Sequence, residues 1–312
     1  MTAGWVAGSV RAKALARRRL GAGAARRLAA CASLGDALRL LAVTPCGANI
    51  RPDQTLAAAQ HELAGTLLWD LRVLAGWLPR DGVQLLRTLG AWFELANVDE
   101  LLQALAGRPA GAEFRLGALA TAWPQLSQAT SHDDLRSALA GSAWQDPGGQ
   151  TARAVRLGMR AGWAARVAEL GDPAASWAAG AAALLVAGER FAAGHTAEPA
   201  ALDGALRLIG WRAARAVTFG ELVGSLPPQA RWALTGILSP DGLWRAEATV
   251  ISRVDQDGQR LLRASGLGQA AVLGAVAVMA CDAWRIGAAL ELAARGGTPL
   301  EAYDELATGG LR

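Results

Sequence analysis

Three histidines, His61, His132 and His195, and three cysteines, Cys31, Cys46 and Cys281, are the side chains of this 312-residue chain best suited to hold zinc or to pair a nucleophile with a base. Their spacing gives them neither role. His61-Glu62 lacks the second histidine that completes a zinc-binding helix, and His132 falls in a turn that opens a helix. The cysteines have no framework spacing and sit among apolar neighbours, which predicts buried free thiols in a reducing compartment, without disulfide or zinc. Asp133-Asp134 and Asp99-Glu100 are paired in sequence, yet adjacent residues on a helix point about 100° apart, away from any shared substrate. Gly148-Gly149 and Gly266-Leu267-Gly268 follow no strand and lack the Gly-Lys-Ser/Thr ending that cradles phosphates. The expectation is a chain with no catalytic residue, no cofactor and no metal.

The elements that would position such side chains are helices. Apolar residues make up 52% and charged residues 19% of the chain, which excludes disorder. Ala, Leu and Arg dominate while strand-forming residues are sparse, so the fold class expected is all-α. Four of the twelve tryptophans, Trp92, Trp163, Trp177 and Trp284, fall on apolar helical faces and read as core. A formal charge of +4, with arginines spread along the chain, argues against a nucleic-acid partner. The dense basic cluster is Arg11, Lys13, Arg17, Arg18 and Arg19. It reads as the solvated face of a first helix, or, more sharply, as a contact for an acidic partner or lipid head groups, with Arg11, Arg17, Arg18 and Arg19 as the contact residues. Arginines interrupt the N-terminal region, against a signal peptide. The apolar run Ala270 to Cys281 is shorter than the roughly 20 residues a bilayer needs, and reads as a buried helix.

Periodicity and punctuation give three helical hairpins. Leu56, Ala59, Leu63, Leu67, Leu71, Leu74 and Leu78 share one face; Pro79 stops that helix, and Asp81 reads as the N-cap of the next, which runs to Gly107 and Pro109. Further pairs run from about Thr151 to Leu170 with Trp177 to Ala193, and from about Leu243 to Leu262 with Ala270 to Ala294. The stops recur in register. Ser131-x-x-Asp134 lies 24 residues after Gly107, and Thr218-x-x-Glu221 lies 24 residues after Gly194. Each reads as a capping box, and two at equal distance from matching stops point to duplication. A third copy is split: Gly296-Gly297 and Thr298-Pro299-Leu300-Glu301 close the last hairpin, while Ser33-x-x-Asp36 near the start supplies the missing box helix. The N-terminal region is therefore expected to return to the C-terminal helix, with Ser33 to Val43 beside Thr298 to Leu306.

Several of these segments resemble the C/d family of rotor proteins in V-type rotary ATPases. They are Ser33-Leu34-Gly35-Asp36-Ala37-Leu38 leading to Leu41-Ala42-Val43-Thr44-Pro45, Trp92-Phe93-Glu94-Leu95-Ala96-Asn97-Val98-Asp99-Glu100, and Asp282-Ala283-Trp284-Arg285-Ile286-Gly287. Cys46 and Trp5 stand where the family usually carries Tyr. The resemblance implies three pseudo-repeated helical-bundle units arranged as a funnel or closed ring, divided as 48–147, 148–227 and 228–312, with 1–47 closing the third unit. It implies a non-catalytic coupling subunit on the cytoplasmic side of the membrane, whose partners are the proteolipid rotor ring and the central-stalk subunits, with no small-molecule substrate. A helical-repeat adaptor or ligand-binding protein outside a rotary motor needs the same helical surfaces. Without a phosphate loop, a metal set or a nucleophile-base pair, the isolated chain is expected neither to hydrolyse ATP nor to bind it at micromolar levels, which calorimetric titration checks.

Overall fold

The computed structural model describes residues 3–264, 266–297 and 300–308, and among these there is no strand. In chain order the helices are α1 (Ala3–Ala16), α2 (Ala22–Ala29), α3 (Leu34–Ala42), α4 (Leu56–Ala75), α5 (Arg80–Leu105), α6 (Trp123–Leu126), α7 (His132–Ala140), α8 (Ala152–Ala168), α9 (Ala174–Ala187), α10 (Asp203–Ala214), α11 (Phe219–Ser225), α12 (Pro228–Arg231), α13 (Leu243–Arg263), α14 (Gln269–Ala294) and α15 (Leu300–Thr308). The all-α expectation holds, and the long helices expected from periodicity are present as α4, α5, α8, α9, α13 and α14. By compactness the chain forms two units, Met1–Leu86 with Ile251–Arg312, and Arg87–Val250. These borders pass through the interiors of α5 and α13, so compactness and the repeat boundaries at 47, 147 and 227 are different partitions of the chain.

The first unit is built around α14. Sixteen of its residues are buried, including Val272, Leu273, Val276, Ile286 and Leu290. An apolar surface on nearly every side must be covered on nearly every side, and α1, α2, α3, α4 and α15 all pack on it. The run that looked too short to span a bilayer is part of a 26-residue helix that is long and apolar enough to do so, although 72% of its most apolar window is buried. The helix continues past Cys281 through Asp282, which accepts two backbone N–H groups, and Arg285, which pairs with Asp255. Helix α1 turns Gly8, Ser9, Ala12, Leu15 and Ala16 inward. Ser9 Oγ accepts the Gly268 N–H at 2.7 Å, and Lys13 Nζ donates to the Ala264 and Gly266 carbonyls at 3.3 and 3.4 Å, closing the end of the loop that precedes α14.

Three box helices carry the same local physics. Ser33, Ser131 and Thr218 each precede their helix in extended conformation, and each accepts the backbone N–H three residues on. The acids differ in how they reach back. Glu221 accepts the Val217 and Thr218 N–H groups, Asp134 accepts from Thr130, and Asp36 accepts the Ser33 hydroxyl. Four and eight residues after each cap the side chains are Ala37/Leu41, Leu135/Leu139 and Leu222/Leu226, all completely buried. Each buried leucine contributes about 1.5–3 kcal/mol. Gly107 and Gly194, the two stops, have φ of 69° and 66°, a left-handed geometry that glycine adopts without a Cβ clash.

The N-terminal region returns to the C-terminal hairpin. Leu28, Leu38 and Leu41 share one core with Ile286, Leu290 and Tyr303. The contact with α15 is made by α2, through a bidentate Arg26–Asp304 pair at 2.7 and 2.9 Å, while α3 packs on α2 and α14. Thr298 and Pro299, expected to open the last helix, lie outside the described residues.

Several expectations need correction. Asp81 is not an N-cap, because α5 already begins at Arg80, directly after Pro79. Trp92 is 48% exposed rather than core, tilted against Trp163 at 5.7 Å between ring centroids, with the Arg160 guanidinium 6.0 Å from its ring centroid. Trp163 and Trp284 are only half-buried, while Trp177 is core. Cys281 is buried, but Cys31 and Cys46 are half-buried. Replacing Thr218 by Ala removes a cap that satisfies an otherwise orphaned N–H, and is expected to cost about 0.5–2 kcal/mol with little change in helix content, measured by denaturant unfolding and circular dichroism.

Candidate functional site

Two buried carboxylates hold corresponding places on long helices. On α14, Asp282 is 2% exposed and accepts the backbone N–H groups of Leu20 and Gly21 at 2.7 and 2.8 Å. Those two residues lead into α2, whose first N–H groups have no partner within the helix. On α5, Glu94 is 1% exposed and accepts the N–H groups of Thr121 and Ala122 at 2.6 and 2.8 Å, at the start of α6, and the Trp144 indole N–H at 2.7 Å. Four and eight residues on come Val98 and Leu102 in α5, and Ile286 and Leu290 in α14, all buried to within 1%. In both units an acid on a long helix holds the start of a short helix, and a box helix follows. For α14 that short helix lies at the other end of the chain.

Reading the sequence for catalytic acids passed over this use of Asp282 and Glu94. The signal was available: four and eight residues after each acid the side chains are apolar, Ile286 and Leu290 after Asp282 and Val98 and Leu102 after Glu94, and a carboxylate on such a stripe must find donors. Arg285, three residues after Asp282, bonds Asp255 of α13 at 2.9 Å, and both side chains are buried.

The basic cluster flanks a cleft of about 330 Å³ in the first unit, with Arg11 and Arg18 on one side, Pro45 at one end, and Trp69, Asp70 and Val73 of α4 opposite. Arg11, Arg17 and Arg18 are exposed. Arg19 lines only a narrower inner recess with Cys46 and Met279, and donates to the Ala16 carbonyl at 3.0 Å. The four candidate contact residues are thus not equivalent: Arg11 and Arg18 face the cleft, Arg19 is turned back on its helix end, and Arg17 lines neither space. Burial raises the Asp70 carboxyl above the ordinary aspartate value, while Arg18 and then Arg11 pull it down.

The chemistry this arrangement supports is binding and bracing. Burial holds the Cys46 thiol up at about 11 and the Cys281 thiol at about 12, so neither is a thiolate at neutral pH. Of the sequence-adjacent acids, Asp99 pairs with Arg156 and Arg160 at 2.9 and 3.1 Å, and Glu100 accepts the Gly111 N–H. Asp134 serves its cap. Among the described residues no three His, Cys, Asp or Glu side chains group as metal ligands. Neither a protein-family model nor a curated protein sequence matches this chain.

Burial is the largest influence on Asp282 and raises its carboxyl; the Gly21 and Leu20 N–H groups, Arg285 and Arg19 pull it back without cancelling the shift. A carboxyl whose folded pKa exceeds its unfolded value adds stability that is complete below the ordinary value of about 3.9 and is lost as pH rises through the raised one. Against Asp282→Asn, which does not titrate, the wild-type chain is therefore expected to lose relative thermal stability across that window as pH rises. Paired melting curves at a series of pH values read the difference.

Proposed function

We propose that this chain is a non-catalytic coupling subunit of a rotary V-type ATPase, set between the membrane proteolipid ring and the central stalk. In this reading its three helical units form a funnel or closed ring, and it works on the cytoplasmic face of the membrane. The observation that supports the reading is the way Asp282, near the end of the chain, holds the start of α2, near its beginning, with α3 completing the core of the last hairpin. A part that carries torque needs every junction to resist shear. Here segments more than 260 positions apart in the sequence are tied through a buried carboxylate, a bidentate surface pair and a shared apolar core. Carboxylates spent on caps and thiols held protonated suit a mechanical part.

The test is capture of the full-length tagged chain from its native cells, followed by mass spectrometry. The expected result is recovery of proteolipid and central-stalk subunits; their absence from gently solubilised membranes overturns the reading. A chain lacking residues 1–47 loses α1, α2 and α3, uncovers α14, and is expected to melt at lower temperature and to lose those partners together. Removing only residues 1–20 is not a mild change either, because α1 covers α14 and Leu20 donates to Asp282.

A further inference from the structure

We infer that the cleft lined by α1 and α4 is a docking site for an acidic segment of a partner protein, with Arg11 and Arg18 taking its carboxylates and Trp69 taking an apolar side chain. This goes beyond the coupling role and does not depend on it.

Charge carries the first part of the argument. The guanidinium groups of Arg11 and Arg18 donate no hydrogen bond and form no ion pair within the described residues, although both line a concave surface. The acid of the cleft, Asp70, feels both cations but bonds neither. Two free guanidinium groups against one half-buried carboxylate leave a positive cleft, which draws acidic partners and disfavours basic ones.

Geometry carries the second part. Arg11 on α1 and Arg18, just past the end of that helix, line the same concavity as Trp69 of α4, so cation and aromatic are presented together. Trp69 is 59% exposed, with Arg72 5.5 Å from its ring centroid, and Val73 and Pro45 line the same cleft. Tryptophan and arginine together, set in a concavity of about 330 Å³, are the composition of an interface hot spot. Exposed tryptophan leaves an apolar ring in water, and a partner side chain laid on it removes that cost. The open rim, formed by exposed side chains, admits a chain segment passing through and does not enclose a small molecule.

The experiment uses the full chain and a fluorescently labelled synthetic peptide carrying two glutamates with a leucine between them. Fluorescence anisotropy is expected to show saturable binding that weakens as salt rises. The doubly substituted Arg11→Gln/Arg18→Gln chain and the peptide with glutamine for glutamate are each expected to bind about tenfold or more weakly, and Trp69→Ala to weaken binding at unchanged salt slope. These side chains are exposed, so unchanged melting temperatures show that the variants fold. Arg18→Glu, paired with a peptide in which one glutamate becomes lysine, is expected to recover binding. The proposal is overturned if the acidic peptide shows no saturable binding, if the glutamine peptide binds equally, or if binding survives the double substitution. It is also overturned if vesicles of equal parts phosphatidylserine and phosphatidylcholine bind through Arg11 and Arg18 while the peptide neither binds nor competes.

Discussion

Asp282 is the residue on which the first unit depends. Its carboxylate is removed from water inside an otherwise apolar helix, at an expense that burial alone makes large, and the compensation comes from two N–H groups more than 260 positions earlier in the chain. Hydrogen bonds to a charged group contribute about 1.5–3 kcal/mol each, enough to hold the acid in place. The carboxyl nonetheless stays above its ordinary value, so desolvation wins over the donors. Without the chain segment that carries Leu20 and Gly21, the acid loses both backbone donors. The start of α2 and the middle of α14 are therefore one structural element, however far apart in sequence.

Glu94 shows that this solution is used twice. It holds the start of α6 as Asp282 holds the start of α2, and the leucines of α7 fill the core beneath it as those of α3 do beneath Asp282. An acid used in this way has both carboxylate oxygens engaged by N–H donors. Asp99 and Glu100, adjacent and superficially a catalytic pair, are likewise committed, one to two arginines and the other to a loop N–H. The polar interior is directed at holding helix starts and helix pairs.

The surface follows a different logic. Arg26 is matched with Asp304 and Arg136 with Asp146, and such pairs leave little net charge free for a partner. Around the cleft the matching stops. Arg11 and Arg18 line a concave surface together with an exposed tryptophan.

The sequence alone determined the helical class, the long helices and the caps at Ser33, Ser131 and Thr218, because each is a local matter. Heptad-like apolar spacing sets a helix face, a glycine with positive φ or a proline ends it, and a hydroxyl with an acid three residues on begins the next. For the same reason Ser33, Ser131 and Thr218 were legible as caps, and their equal spacing from Gly107 and Gly194 as repetition. The tertiary structure decided what depends on neighbours distant in sequence. It set Asp282 and Glu94 among backbone donors from other helices, left Trp92 exposed, and carried α14 through two charged residues that find partners elsewhere in the chain. It also separated Arg11 and Arg18, which face the cleft, from Arg17 and Arg19, which do not. No spacing rule distinguishes those four arginines, since the distinction lies in where α4 passes α1.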